Sequence, residues 1–207
     1  MVRLSEQRST GARRAGIRAI TLGAGLALVG AVVGAAPASA DTGALTYNCS
    51  ASILTNQLLT ATVHATAPAT ATVGDTVALS GFSADVTVNS GATGALYWFL
   101  GARSVSGTAS VQTSVDNAGT SVPQPNAELA IPSAPVPSSG ELKIVASGPG
   151  PSFVTTTAGT VRFQVGGFTG DLIAVNSTGG TSTAPVNCVL NPGQDPTVAS
   201  VAVSAPA

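Results

Sequence analysis

The chain contains only two cysteines, and they lie near opposite ends of what we expect to be one folded domain. Cys49 falls in the stretch Leu45–Cys49 and Cys188 in the stretch Pro185–Leu190. A bond between them closes a loop of 139 residues, and in the chain-entropy model such a loop gives roughly 4–5 kcal/mol of stabilisation. Exported chains use a pair of cysteines for a disulfide more often than as free thiols. We therefore predict a disulfide between Cys49 and Cys188.

The first forty residues have the composition of a secretory signal peptide. Residues 1–18 carry five arginines and one acid, residues 19–35 are uncharged and apolar, and residues 37–40 end in an Ala-x-Ala pattern. This order of basic, apolar and small segments is typical of export signals. We expect cleavage after Ala40, a secreted or extracellular protein, and a single mature domain of residues 41–207. A transmembrane anchor is the alternative, but the apolar run is short and rich in glycine, so we expect no stable membrane insertion once the signal is removed.

The predicted mature domain is poor in charge. Its three basic residues, Arg103, Lys143 and Arg162, face eight acidic ones. Because no basic patch remains to neutralise phosphates, we expect no nucleic-acid partner and no attraction to anionic lipid. Charged residues make up 8% of the chain, against about a quarter in ordinary domains. Hydroxyl and amide side chains must therefore cover most of the surface.

Alternation of apolar and polar residues dominates the domain and predicts strands. In residues 59–66 the odd positions are apolar and the even ones polar, as in a half-buried strand. Nine or ten such strands, separated by Gly, Pro, Ser and Asn, predict an all-β fold, an antiparallel β-sandwich. An up-and-down barrel is the alternative. Gly107 is a candidate bulge, and the prolines around residues 128–131 restrict that segment to a short edge strand.

One aromatic cluster interrupts the alternation. Tyr97, Trp98 and Phe99 lie between two glycines, Gly94 and Gly101, and we interpret them as a short helical turn or a buried crossover. Large aromatics usually fill the interior of a sandwich, but an exposed ring offers a flat face to a sugar. We therefore expect core packing for the cluster as a whole. Tyr97 and Trp98 are the candidate ligand-binding residues, because one of these two is the ring that we expect to protrude.

No set of residues in the sequence predicts catalysis or metal binding. The alternation places His64 on the polar face of its strand, and no serine nucleophile motif accompanies it. Seven carboxylates are scattered among turns, and two of them in one groove would be needed to hydrolyse a glycosidic bond; they are Asp75, Asp85, Asp116, Glu128, Glu141, Asp171 and Asp195. Neither zinc nor calcium spacing is present. We expect no enzyme activity, no cofactor and no metal.

The two ends of the domain carry motifs that resemble those of a known family. The start Tyr47-Asn48-Cys49, a Val73-Gly74 turn and the closing Cys188-Val189-Leu190-Asn191-Pro192-Gly193-Gln194 are similar to a family of secreted actinobacterial proteins of unknown function. In that family a Tyr-x-Cys start accompanies a Cys-x-Leu-x-Pro-Gly-Gln end. The resemblance covers residues 45–203 and implies export and an immunoglobulin-like sandwich. It implies no activity, so no catalytic residue is carried over.

The leading functional hypothesis is a secreted, non-catalytic module with a binding or structural role at the cell envelope or in the extracellular space. Its partner would be an envelope protein or a polysaccharide. The alternatives are a carbohydrate-binding module that uses Tyr97 or Trp98, and a polysaccharide hydrolase.

Overall fold

In a computed structural model of the chain, residues 37–51 and 54–207 are described, and most of them form β-strands. The predicted signal peptide lies almost wholly outside these residues. Thirteen strands occur in the described part: β1 (Pro37–Asp41), β2 (Leu45–Ala51), β3 (Leu54–Pro68), β4 (Thr70–Thr72), β5 (Thr76–Ala78), β6 (Ser80–Val88), β7 (Ala102–Asn117), β8 (Thr120–Pro135), β9 (Leu142–Ser147), β10 (Ser152–Val154), β11 (Gly159–Asn176), β12 (Thr181–Leu190) and β13 (Thr197–Ser204). The helical segments are α1 (Ser90–Gly94) and a π-helix (Ala95–Phe99).

Eight of the strands pair in a ladder that returns to its starting point. The order is β12-β2-β3-β6-β9-β8-β7-β11, and β11 pairs again with β12. The long strand β11 makes this closure possible, because on one edge its first half pairs with β13 and its second half with β12. Every pairing within the ring is antiparallel. The eight strands therefore close around one interior.

The predicted all-β, antiparallel fold with one disulfide is confirmed. Alternation is clearest in β9, where Leu142, Ile144 and Ala146 are buried and their neighbours are exposed. The register of β7 shifts between Val105 and Gly107, as the candidate bulge predicts, and a Cβ on Gly107 would overlap the carbonyl oxygen of Asp171. The immunoglobulin-like detail stays a prediction.

Strand β8 corrects the expectation of a short edge segment at residues 128–131. It extends for 16 residues through four prolines and pairs along most of its length with β7. On its other side it meets β9 at a single pair, Ala130 and Ser147. Because that edge is otherwise unpaired, prolines that lack an N–H are tolerated along it. The prolines therefore mark a free edge and do not limit the length of the strand.

The predicted cleavage point falls inside β1. The five residues Pro37–Asp41 pair with Pro68–His64 of β3, and cleavage after Ala40 would leave only Asp41 of this strand on the mature chain. The edge of β3 from Ala65 to Pro68 would then be unpaired. The rest of β3 keeps β2 and β6 as neighbours.

The disulfide joins the two ends of the domain within the ring. Cys49 and Cys188 are direct partners in the β2–β12 pairing, with 4.1 Å between their Cα atoms. Nearby, the side-chain amide of Gln194 accepts a hydrogen bond from the Thr46 backbone N–H at 2.7 Å and donates one to the Thr46 carbonyl at 2.8 Å. The start and end motifs of the sequence thus form one structural clasp.

Two clusters of buried side chains fill the interior. The larger one contains Tyr47, Phe82 and Phe163, all at most 2% exposed. The smaller one is aliphatic and lies next to the helical segment; its buried members are Ala102, Val105, Val136, Leu142, Ile144 and Ala174. We call the region of the larger cluster the packed end of the interior. The region of the smaller cluster borders a cavity that is described below, and we call it the cavity end.

Candidate functional site

The helical segment between β6 and β7 is held against the cavity end by polar contacts at its first turn. Asn89 caps α1, because its Oδ1 accepts from the Ala92 N–H at 2.9 Å, and its Nδ2 donates to the Leu58 carbonyl of β3 at 2.8 Å. The buried Thr93 hydroxyl accepts from the Leu142 N–H of β9 at 3.1 Å. Since these bonds satisfy backbone groups on two separate strands, they fix where the segment begins.

Arg103 fixes the other end of the segment. Its Nη1 lies within 3.1 Å of the carbonyl oxygens of Tyr97, Gly101 and Ala102. The guanidinium carbon also lies 3.8 Å from the centre of the Tyr97 ring. A cation is favourable at the C-terminal end of a helix, where carbonyls lack partners, and over an aromatic face. Arg103 is therefore used in positioning the segment.

The three aromatic rings of this segment have different environments. Tyr97 is half-buried against the aliphatic cluster, whereas Trp98 is 69% exposed and Phe99 is 85% exposed. The helical alternative for this stretch agrees with the structure, and core packing is wrong for Trp98 and Phe99. A π-helix is rare and often occurs at functional sites. Whether Tyr97 and Trp98 bind a ligand stays a prediction.

An apolar cavity of about 430 Å³ lies beneath the helical segment. Its walls come from seven of the eight ring strands and from the segment itself. The residues that line it are Cys49, Ala51, Gln57, Leu58, Leu59, Val88, Ala92, Ala95, Leu96, Phe99, Leu100, Val105, Leu142, Ile144, Leu172, Ala174, Ser182, Thr183, Ala184 and Val186. Five of them are alanines, whose small side chains leave space that the aromatic rings fill at the packed end. The volume is within the range of roughly 300–1,000 Å³ typical of ligand pockets.

The mouth of the cavity is apolar and exposed. Leu58, Phe99 and Leu100 line the cavity and are 55%, 85% and 45% exposed. Trp98 stands next to them and contacts Tyr97 edge to face, with 4.8 Å between ring centres. Large apolar side chains that cluster at an opening mark an interaction site more often than isolated ones do. The sequence did not predict this site. The cavity forms where small residues from strands that are distant in sequence lie side by side in the fold, and no local pattern indicates which residues these are.

A second, polar groove of about 470 Å³ crosses the outer face of β8, β7, β11 and β12. Glu128 of β8 accepts a hydrogen bond of 2.5 Å from the Ser110 hydroxyl, and Asp171 of β11 lines the same groove. Asp171 lies two strands away from Glu128 and is displaced by two residues along the strand direction, which corresponds to about 12 Å between their Cα atoms. The groove thus brings together two of the seven carboxylates that the sequence left scattered.

His64 has an acidic neighbour that the sequence did not reveal. Its Nε2 lies 3.3 Å from Oδ2 of Asp85 on β6, and both side chains are well exposed. The pair is diagonal across two strands, so sequence spacing carries no signal for it. An exposed pair of this kind contributes about 0–1 kcal/mol to stability. Within residues 37–51 and 54–207, no group of three or more metal-ligating side chains comes together.

The matching family model covers residues 46–199 and is described as a family of unknown function, DUF6801. The chain belongs to this family. That confirms the unknown-function part of the resemblance, while the shared end motifs and the export of its members stay predictions. The described residues include no helix of the length and hydropathy needed to cross a bilayer.

Among solved structures, the chain is similar to one from Corynebacterium diphtheriae described as a "Putative membrane anchored protein". The two share 16% sequence identity with a TM-score of 0.45, over 83% of this chain and 38% of the other. The chain thus spans less than half the length of that protein. No curated protein matches the chain.

Proposed function

We propose that this protein is a secreted, non-catalytic binding module that works at the cell envelope or in the extracellular space. The observation that supports binding most strongly is the apolar cavity with its exposed mouth of Leu58, Phe99 and Leu100. A stable interior normally has few voids larger than a water molecule. A cavity of this size costs stability unless something fills it.

The disulfide supports a location outside the cytoplasm. Disulfides persist in oxidising compartments and are rare in the cytosol, and Cys49 of the Cys49–Cys188 bond lines the cavity. The amino-terminal signal pattern points to the same compartment. Export thus accounts for both features together.

Binding to envelope material tests this proposal. Purified, oxidised protein is incubated with whole envelopes, peptidoglycan, chitin and cellulose, and the bound fraction is compared with that of a double variant, Phe99→Ser with Leu100→Ser. The exposed residues Val145 and Val154, which do not line the cavity, supply the matched control as V145S with V154S. We expect the mouth variant alone to lose binding. Equal binding by both variants, or turnover of a polysaccharide by the wild type, would contradict the proposal.

A polysaccharide site in the polar groove is the second candidate, because Glu128 and Asp171 line that groove together. Glycosidases use two carboxylates that flank one bond. If the groove is catalytic, Glu128→Gln and Asp171→Asn each abolish release of reducing sugar, while Glu141→Gln elsewhere on the surface does not. If neither variant changes binding or turnover, the groove is not the functional site.

A further inference from the structure

We propose that the cavity holds a single aliphatic chain, the hydrocarbon portion of a fatty acid or of an acyl lipid. This inference rests on the proposed binding function and names its ligand class. The cavity is lined by strands of the ring and by Ala92, Ala95 and Leu96 of the helical segment. A flexible chain can follow such a space from the mouth inward.

The chemistry of the walls excludes charged and highly polar ligands. None of the twenty lining residues is charged, and only Gln57, Ser182 and Thr183 are polar. Ser182 and Thr183 are exposed and Gln57 is half-buried, so none of the three is a fully buried part of the wall. A sugar or a peptide inside the cavity would bury hydroxyl or amide groups without partners, which is strongly unfavourable. Methylene groups carry no such penalty.

The walls favour a chain over a flat ring system. Phe99 is the one aromatic residue that lines the cavity, and its side chain is 85% exposed at the mouth. The deeper walls are aliphatic, with Val105, Ile144 and Leu142 at most 5% exposed. Aromatic ligands gain additional affinity from stacking on other rings, and the deeper walls offer none. Aliphatic groups gain from burial alone.

The mouth suits a ligand with one apolar and one polar end. Leu58, Phe99 and Leu100 shield the first methylenes as the chain enters, and Trp98 extends this apolar rim. Ser182, Thr183 and Gln57 line the cavity without being buried, and hydroxyl and amide groups can donate hydrogen bonds to a carboxylate or ester head group that stays in solvent.

A chain-length series tests this inference. Saturated fatty acids from octanoate to stearate are titrated into the oxidised protein by calorimetry, below the concentrations at which they form micelles. We expect affinity to rise about fourfold with each added methylene, which corresponds to about 0.8 kcal/mol per buried group. The rise should stop once the chain fills the cavity. A series without dependence on chain length would overturn the inference.

Filling the cavity supplies the matched variant. Ala184 of β12 is half-buried, lines the cavity and lies opposite Leu172 of β11. We expect Ala184→Leu to end the rise at shorter chains and to weaken stearate binding at least tenfold, with an unchanged or higher melting temperature. Ala202→Leu, on the exposed side of β13, should leave the series unchanged. Equal series for both variants would place the chain elsewhere and overturn the inference.

Vesicles distinguish the two sources of the chain. Protein incubated with phosphatidylglycerol vesicles and then separated from them is examined by native mass spectrometry for bound phospholipid. Bound phospholipid identifies an acyl lipid as the source, while binding of fatty acids alone identifies the free acid, and both results support an aliphatic chain. Binding of neither, with binding to envelopes retained, overturns this inference and leaves the proposed function standing. Loss of envelope binding as well overturns both.

Discussion

Strands of the ring contribute to both ends of the interior. The two ends differ because side chains fill the packed end and leave a cavity at the other. Five of the eight aromatic residues, Tyr47, Phe82, Phe153, Phe163 and Phe168, lie in or against the packed end. The other three, Tyr97, Trp98 and Phe99, lie in the helical segment over the cavity end, and two of them face solvent. One end therefore holds the fold together, and the other keeps a cavity.

Strand β11 shows this difference within one element. Its first half turns Val161, Phe163 and Val165 inward, all buried at the packed end. Its second half turns Leu172 and Ala174 toward the cavity. The backbone pairing with β7 runs along both halves. The difference between the filled end and the end with a cavity therefore follows side-chain volume and not the pairing with β7. A binding site can thus be made by small residues without a change of fold.

The largest expected effect comes from removing an aromatic ring at the packed end. Phe163→Ala should lower the free energy of unfolding by about 3–5 kcal/mol, because it removes a large side chain from close-packed surroundings. The matched change at the cavity end, Leu172→Ala, should cost about 2 kcal/mol or less, because Leu172 already borders empty space. Denaturant titration of both variants measures the difference. Equal losses would contradict the contrast between the two ends.

Alkaline pH tests the packed end through Tyr47. Burial raises the pKa of the Tyr47 hydroxyl to about 12, from its ordinary value near 10. Between about pH 10 and pH 12 the unfolded chain loses the tyrosine proton while the folded chain keeps it, so the contribution of Tyr47 to stability is constant below about pH 10 and falls as pH rises toward 12. At about 1.4 kcal/mol per pH unit, the loss approaches roughly 3 kcal/mol.

Tyr47→Phe supplies the control for this titration. The variant keeps the ring, which contacts Phe168 edge to face with 5.2 Å between centres, and removes the ionisable group. We expect its stability to lack the decline assigned to Tyr47 between about pH 10 and pH 12. The same decline in both proteins would show that Tyr47 does not control the alkaline transition.

A smaller effect is expected at the clasp between the two ends of the chain. Gln194→Ala leaves both the N–H and the carbonyl of Thr46 without the side chain that pairs with them. The Thr46 carbonyl keeps the Asn191 backbone N–H as a partner, so only the Thr46 N–H is left unpaired, and the cost should be about 1–3 kcal/mol, as for one part-buried polar group without a partner. Gln112→Ala, at an exposed position, is the control and should change stability little. Thermal unfolding that finds the two variants alike would show that the clasp contributes nothing.

The smallest effect on stability is expected at the mouth of the cavity. Trp98→Ala should change the free energy of unfolding by about 0.5 kcal/mol or less, because the ring is mostly solvated. The same variant should weaken binding of an acyl chain if the exposed rim guides its entry. A large loss of stability on removal of Trp98 would mean that the ring supports the fold, against the division between the two ends.

The sequence predicts the strands of this fold better than it predicts the helical segment and the cavity. Alternation identifies strands such as β9, and the two cysteines predict the closure of β2 on β12, because both signals are local or carried by a rare residue. The helical segment is harder to predict, since Tyr97, Trp98 and Phe99 have the composition of a core and yet two of them face solvent. What exposes them is the anchoring of the segment: Asn89 and Thr93 tie its first turn to the distant strands β3 and β9, and Arg103 binds the carbonyls at its end.

The candidate sites depend on positions that no local pattern connects. The cavity exists because Ala51, Ala174 and Ala184 lie on different strands of the ring and face one space. The groove exists because Ser110 stands between Glu128 and Thr169 in the pairing register. Taken one at a time in the sequence, the alanines look like ordinary strand residues and the carboxylates look like ordinary surface acids. Only the register of the ring brings them together.

A crystal structure of the oxidised protein grown with palmitate would show whether the cavity holds an aliphatic chain. We expect a continuous chain of density inside the ring, from the mouth at Leu58 and Phe99 to the walls at Val105 and Ala184. We also expect an unchanged packed end around Phe82 and Phe163. A cavity filled by the protein's own side chains, with Trp98 or Phe99 folded inward and no bound chain, would contradict this expectation.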